Sequence, residues 1–194
     1  MLDIFYHPNG VAVLGATEKL RGGFFLFRNT IEGYKGKVYP INPNYQTILG
    51  VKCYPDIASI PENFDLLLYF IPAKFLPETI RECAKKGVKG IIIESAGFSE
   101  VGAEGRALQE ESVRLARECG IRLWGPNCMG LLDGHSRHVF SFMYQDDWKE
   151  LMQPGGVSLI VQSGMLSAGF LMAVLQRGGM GISKVASIGN KCDI

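Results

Sequence analysis

Short apolar runs rich in Val, Ile and Leu alternate along this chain with segments of helical period, and that alternation constrains the fold more than any other property of the sequence. The runs at 11–14, 37–41, 66–71, 90–93 and 122–124 read as strands, and the stretches at 24–32, 73–86 and 103–118 as helices. Parallel strands need a long crossover, and a helix is the usual one; its apolar stripe then covers the sheet. The repetition predicts an α/β fold in which a parallel sheet carries helices on both faces. Glu110 and Arg114 stand four apart in the third helix, a pairing suited to a solvated face.

The pattern weakens between 130 and 154. Gly134-His135-Ser136-Arg137-His138 reads as a polar loop with two solvated histidines, 139–144 as a short strand, and Asp146-Asp147 as a turn or helix start. The strand–helix rhythm then resumes, with strands at 157–161 and 184–188 flanking a helix at 163–177. Residues 1–148 are accordingly expected to form one domain. Residues 149–194 are expected to supply the first βαβ of a second α/β domain that is incomplete in this chain. A length of 194 residues suits one domain with an appendix better than two full ones.

Composition excludes several classes. A net charge of +1 and a pI near 7.6 provide no broad basic field, so no nucleic-acid partner is expected. The five cysteines are scattered, without a CxxC pair or histidines at zinc spacing, which predicts no metal site and suits a reducing cytoplasm. No stretch approaches the roughly 18 apolar residues of a membrane span, and the first eight residues lack the basic lead of a signal peptide. A homo-oligomer is compatible with all of this.

Candidate binding residues cluster where strands run into turns. Val11-Ala12-Val13-Leu14-Gly15-Ala16-Thr17 leads through Lys19 and Arg21 to Gly22-Gly23 and a helix. Small residues there admit a phosphate to the backbone, and the helix start supplies free N–H groups. The spacing is not GxGxxG. The second strand ends in Asn42-Pro43, without the carboxylate that grips an NAD ribose, so a ligand with a phosphorylated ribose, coenzyme A (CoA) or NADP, fits better. Lys19, Arg21 and Lys52 are cations available to that phosphate. The next strands end in Ile71-Pro72-Ala73, in Glu94-Ser95-Ala96-Gly97-Phe98 and in Gly125-Pro126-Asn127-Cys128-Met129-Gly130. Asn127 could bond a ligand or brace a loop, whereas nothing adjacent marks Cys128 as a nucleophile. Ser163, in Gln162-Ser163-Gly164, is placed to cap a helix whose N-terminus, with Gly164, faces an anion or is an ordinary cap.

Taken in order, these strings resemble the N-terminal part of the NDP-forming acyl-CoA synthetases, the superfamily of ADP-forming acetate–CoA ligases and the succinyl-CoA synthetase α subunit. The matching strings include residues 36–43 and Gly189-Asn190-Lys191, and GPNC at 125–128 is the most specific. The resemblance implies a CoA-binding, Rossmann-like first domain followed by a flavodoxin-like domain of the succinyl-CoA synthetase type. It places Gly15, Ala16 and Thr17 near the CoA phosphates and Asn42 and Pro43 near the nucleotide. Ile71, Pro72, Ala73, Ser95, Ala96 and Gly97 line the cofactor's path, and Ser163 and Gly164 face a phosphate. It further implies transfer of phosphate from an acyl phosphate to a histidine on a mobile loop, then to ADP on an ATP-grasp domain. That histidine is expected beyond Ile194, so no catalytic residue is assigned within the chain, which alone is expected to be inactive. The remaining ligase domains or an ATP-grasp subunit are the expected partners. A non-catalytic CoA sensor, like the ligase-like regions of some protein acetyltransferases, and an NADP-dependent oxidoreductase are the alternatives.

Overall fold

The computed structural model describes residues 2–146 and 148–194. A short helix α1 (Asp3–Tyr6) precedes strand β1 (Gly10–Leu14), helix α2 (Gly22–Gly33) and strand β2 (Lys37–Ile41). A small hairpin, β3 (Thr47–Ile48) and β4 (Val51–Lys52), leads to β5 (Leu66–Tyr69). A 3-10 turn at Ala73–Phe75 runs into α3 (Leu76–Lys86), followed by β6 (Gly90–Ile93), α4 (Ala103–Glu118) and β7 (Arg122–Trp124). The five longer strands form one parallel sheet in the order β2-β1-β5-β6-β7.

Alternation along each strand assigns its side chains to opposite faces. Val11, Val13, Leu66, Leu68 and Ile92 pack under α1 and α2 with Phe5, Leu26 and Phe27. Ala12, Leu67, Tyr69, Ile91 and Ile93 pack on the other face with Leu76, Ile80 and Cys83 of α3 and Ala116 of α4. Each large aliphatic side chain removed from water here contributes roughly 1.5–3 kcal/mol. Strands covered on both faces therefore read as continuous apolar runs. Helix α3 stops at Gly87, whose φ of 80° lets its N–H turn back to the Ala84 and Cys83 carbonyls. The i,i+4 ion pair on α4 joins Arg114 to Glu118 at 2.8 Å, one turn beyond the Glu110–Arg114 pairing expected from sequence.

The second half builds a mixed sheet. Strands β8 (Leu131–Asp133) and β9 (His138–Phe140) form an antiparallel pair, and helix α5 (Trp148–Leu151) precedes β10 (Pro154–Val161), α6 (Gly164–Arg177) and β11 (Ile182–Ser187). β10 and β11 are parallel, so 154–187 is the expected βαβ unit. The order β10-β11-β8-β9 makes β8 and β9, which precede residue 148, sheet partners of the later strands. Asp147, expected in a turn or helix start, lies outside the described residues. His138 is not in a solvated loop. It sits in β9, buried against the rings of Tyr34 and Phe140, and burial lowers its pKa.

Hydrogen bonds fasten the two sheets together. Trp124 Nε1 donates to the Ser187 carbonyl at 2.8 Å, and Ser187 Oγ accepts the Met129 N–H at 3.0 Å. The Asn190 and Cys192 amides bond to the Pro126 and Gly125 carbonyls at 2.9 and 3.0 Å. Asp193 Oδ2 then accepts from Arg122 Nε at 2.6 Å and from the Leu123 amide at 3.2 Å. Among the described residues no helix is long and apolar enough to cross a membrane.

Candidate functional site

The chain leaves β1 outward to β2 and then crosses back to β5, so the strand order reverses between β1 and β5. Open α/β sheets bind ligands in the crevice beyond the carboxyl ends of the strands at that reversal. Gly15 leaves β1 with φ at 95°, and a Cβ there would collide with the Phe70 carbonyl oxygen. A Cβ at Gly23 would collide with the carbonyl of Gly15, so glycine at both positions lets the first turn of α2 close against the β1 turn. Helix α2 begins after Arg21 with no side-chain cap and no acidic residue in its first turn. Its positive end therefore carries no side-chain acceptor of its own.

The turns touch one another in sequence around the crevice. Asn42 Nδ2 donates to the Ala16 carbonyl at 2.7 Å, while its Oδ1 accepts the Asn44 amide at 3.0 Å. Asn42 thereby ties the β2 turn to the β1 turn, with Pro43 exposed beside it. Thr17 is buried, its hydroxyl 3.0 Å from Tyr45 Oη and accepting the Lys19 amide at 3.2 Å, so its side chain shapes the loop. The side chains of Lys19 and Arg21 are exposed at the rim. Lys52 instead lies over the Tyr54 ring at 5.2 Å. After β5, Ile71 is half-buried against the core, Pro72 is exposed and Ala73 is buried, and the Tyr69 hydroxyl fixes the Pro72 carbonyl at 2.7 Å. A Cβ on Gly97 would lie 3.0 Å from Ala73 Cβ, and the Ser95 carbonyl accepts the Asn127 amide at 3.0 Å. Ala96 is exposed between them.

Asn127, at φ 54°, also opens onto a second cleft of about 440 Å³. Glu94, Phe142, Ser163, Gly164 and Asn190 line it with Asn127. Ser163 caps α6, its Oγ accepting the Leu166 amide at 3.3 Å, which leaves the earlier N–H groups of the helix at the cleft. Asn190 is held by Glu100 Oε2 at 2.5 Å and Gln109 Oε1 at 3.0 Å. Burial pushes the Glu100 carboxyl up. The Asn190 amide and the N–H groups of Gly97 and Phe98 outweigh that and hold it below the usual carboxylate range. The Cys128 thiol is fully buried, 3.3 Å from the Ile93 carbonyl, and burial pushes its pKa up, so it is no thiolate nucleophile.

The structure thus gathers Gly15, Ala16, Thr17, Asn42, Pro43, Ile71, Pro72, Ala73, Ser95, Ala96, Gly97 and Asn127 at strand ends, and sets Ser163 and Gly164 across the second cleft. Glu94, Phe142 and Asn190 were not among the candidates drawn from sequence. Glu94 had a visible signal, a lone carboxylate closing an otherwise apolar strand. A smaller hollow of about 220 Å³ at the end of α2, lined by Asn29, Gly33, Arg137 and Met152 among others, shares no residue with either site.

Several proteins similar to this chain are named as ligases. The α subunit of the Pyrococcus furiosus ADP-forming acetate–CoA ligase II is 38% identical over all of this chain, which spans 41% of that protein. The ADP-forming acetate–CoA ligase of Methanocaldococcus jannaschii is 40% identical over the whole chain, which covers 26% of it. The Ca. Korarchaeum cryptofilum dinucleotide forming acetyl-coenzyme A synthetase 1, solved in complex with phosphate and ADP, superposes with a TM-score of 0.91. It is 35% identical, and the match covers all of this chain and 40% of that one. The chain therefore spans well under half the length of these relatives. With residues 9–133 matching the family model described as the CoA binding domain, the crevice at the β1–β5 reversal is that of a family member: this chain belongs to the CoA-binding domain family.

Proposed function

We propose that this chain is the CoA-binding portion of an NDP-forming acid–CoA ligase. Such an enzyme interconverts acyl-CoA, phosphate and ADP with acid, CoA and ATP through a phosphohistidine carried elsewhere in the assembly. The observation that carries the reading is the shared wall at Asn127, where a crevice suited to a phosphorylated nucleotide abuts a cleft that presents a helix N-terminus. The fit of CoA rests on three features of the crevice. Gly15 and Gly23 clear the backbone for a diphosphate, α2 offers an uncapped amino end, and Lys19 and Arg21 stand at the rim for a ribose phosphate. Asn42 occupies the place where an NAD-binding unit keeps a carboxylate, which disfavours an unphosphorylated ribose.

In this reading Asn42 and Pro43 hold the nucleotide, while Ile71, Pro72, Ala73, Ser95, Ala96 and Gly97 guide the pantetheine arm toward Asn127. CoA, when bound, supplies the thiol that accepts the acyl group. Ser163 and Gly164 present the amino end of α6 to an oxyanion, whose charge the helix field favours. Residues 1–148 act as the CoA-binding unit, and 149–194 begin a second ligase-type unit that borrows β8 and β9 as sheet partners. Further ligase domains or an ATP-grasp subunit supply the nucleotide site, and five free thiols suit a reducing cytoplasm.

Calorimetry with CoA, dephospho-CoA, NAD and NADP tests the reading. CoA should bind most tightly and dephospho-CoA about tenfold more weakly, the loss of one charge-assisted phosphate contact. Tight NADP binding without CoA binding would overturn it in favour of an oxidoreductase. Acyl-CoA synthesis on addition of the remaining ligase domains, the phosphohistidine unit and an ATP-grasp partner together, separates a ligase from a CoA sensor, which would bind CoA and turn nothing over.

A further inference from the structure

The floor of the second cleft contains a carboxyl group that the reading above leaves without a role. Glu94 closes the apolar strand β6 and is only 4% exposed. Its Oε2 accepts the Phe142 amide at 3.0 Å, while Oε1 has no hydrogen-bond partner among the described residues. Glycine at 130 makes room for that oxygen, since a Cβ there would lie 2.5 Å from Oε1. A buried polar atom without a partner is destabilising, so a partner that arrives with a ligand recovers that cost. Across the cleft stands the amino end of α6, a helix of 14 residues.

We propose that Glu94 is a ligand-recognition residue of this cleft: its carboxyl, in the protonated form, donates a hydrogen bond to an oxyanion held against the amino end of α6. The ligand class is an oxyanion, either the carboxylate of an acid substrate or a phosphoryl group. A neutral acid is the form that can serve both as acceptor for Phe142 and as donor to the ligand. Burial drives Glu94 well above the usual carboxylate range, and the Phe142 amide offsets that only in part. Among the described residues no cation lines the cleft to counter the burial. The titratable group that feels the charge of Glu94 is Cys128, whose thiol burial also keeps protonated; Cys192, from the segment after β11, couples to Cys128 in turn. The α6 wall contributes Ser163, Gly164 and Met165, none of which ionises in the working range.

The inference rests on the α6 terminus being an oxyanion site, and the experiment separates the two failures. The 194-residue chain is titrated with sodium sulfate, whose charge is constant between pH 5 and 9, and in parallel with sodium acetate. Sodium chloride controls for ionic strength, and the backbone amide resonances of Gly164 and Met165 are followed by NMR. Sulfate binding to wild type should weaken as pH rises and Glu94 loses its proton. E94Q keeps a donor and an acceptor in the same shape, so its affinity should stay within about twofold of wild type at pH 5 and stay flat with pH. E94L should bind about tenfold more weakly at pH 5, the loss of one hydrogen bond to a charged group. Preference for sulfate over acetate marks a phosphoryl ligand, and the reverse marks a carboxylate; each supports the proposal. A wild-type affinity with the same flat pH profile as E94Q overturns the role of Glu94 and leaves the oxyanion site standing, even if E94L does not fold. Absence of any sulfate or acetate response in wild type overturns both.

Discussion

The two sheets of this molecule solve the same problem to different degrees. In the first, β1, β5 and β6 are buried along essentially their whole length, with α1 and α2 on one face and α3 and α4 on the other. In the second, β10 alternates between exposed and half-buried residues from end to end, and α6 covers a single face. Ile160 is 75% exposed there, as are Met165, Leu166 and Phe170 on α6 in large part. The first sheet has a finished core around its crevice, whereas the second shows an apolar side that further ligase structure, in the proposed assembly, would cover. Stability and ligand binding should therefore separate: CoA affinity should depend on the first sheet, and the integrity of the α6 terminus on the second.

The most severe way to break that separation is within the first sheet. Gly15→Val places a β-branched side chain at φ 95° against the Phe70 carbonyl. It should cost more than about 3 kcal/mol and abolish CoA binding, read by chemical denaturation and calorimetry. Retained CoA affinity in a folded variant would dissolve the assigned link between this turn and the ligand. Leu171→Ala, in the fully buried centre of the α6 core, should cost about 2–4 kcal/mol. Hydrogen exchange should accelerate in β10 and β11 while β1 and β5 stay protected, and CoA affinity should hardly change. Uniform acceleration in both sheets would make the two one cooperative unit. The smallest effect belongs to the seam. Asp193→Asn weakens the bond to Arg122, which is about a third exposed, so the loss should be about 1 kcal/mol. A double-mutant cycle with Arg122→Ala isolates the pair, and a coupling near zero would demote the seam to a passive contact.

Elements whose partners lie nearby in sequence were legible in advance. β2, β6, β7 and α4 fall on the residues their apolar runs and helical period indicate, and the βαβ unit formed by β10, α6 and β11 was expected from the same rhythm. β5 ends at Tyr69, two residues early, because the chain turns into the crevice at Phe70 and Ile71. β8 was missed for a different reason. Its three residues carry no period of their own, and beside its hairpin with β9 its place depends on pairing with β11 about fifty residues later, through Lys184 opposite Asp133. Burial pushes the Asp133 carboxyl up, but Lys184 and the amides of Ser136 and His135 prevail and hold it ionised below its ordinary range. His138 follows the same logic, since a histidine at the end of a polar run gives no hint that a distant tyrosine will cover it. In the candidate crevice, Gly15 and Asn42 stand in turns that local chemistry marks in the sequence. Glu94 shows in the sequence as a carboxylate after an apolar strand, but its surroundings, Phe142 and α6, come from far along the chain.

The indole of Trp124 stands where the halves meet, bonded to the Ser187 carbonyl and flanked by the rings of Phe5 and Tyr6 at 5.3 and 6.2 Å. Once the second tryptophan, at 148, is replaced by phenylalanine, the molecule has a built-in optical gauge. Its emission colour and quenching would report whether β11 is seated on the first sheet, so parting of the halves can be timed by light alone as ligand, salt or temperature is changed.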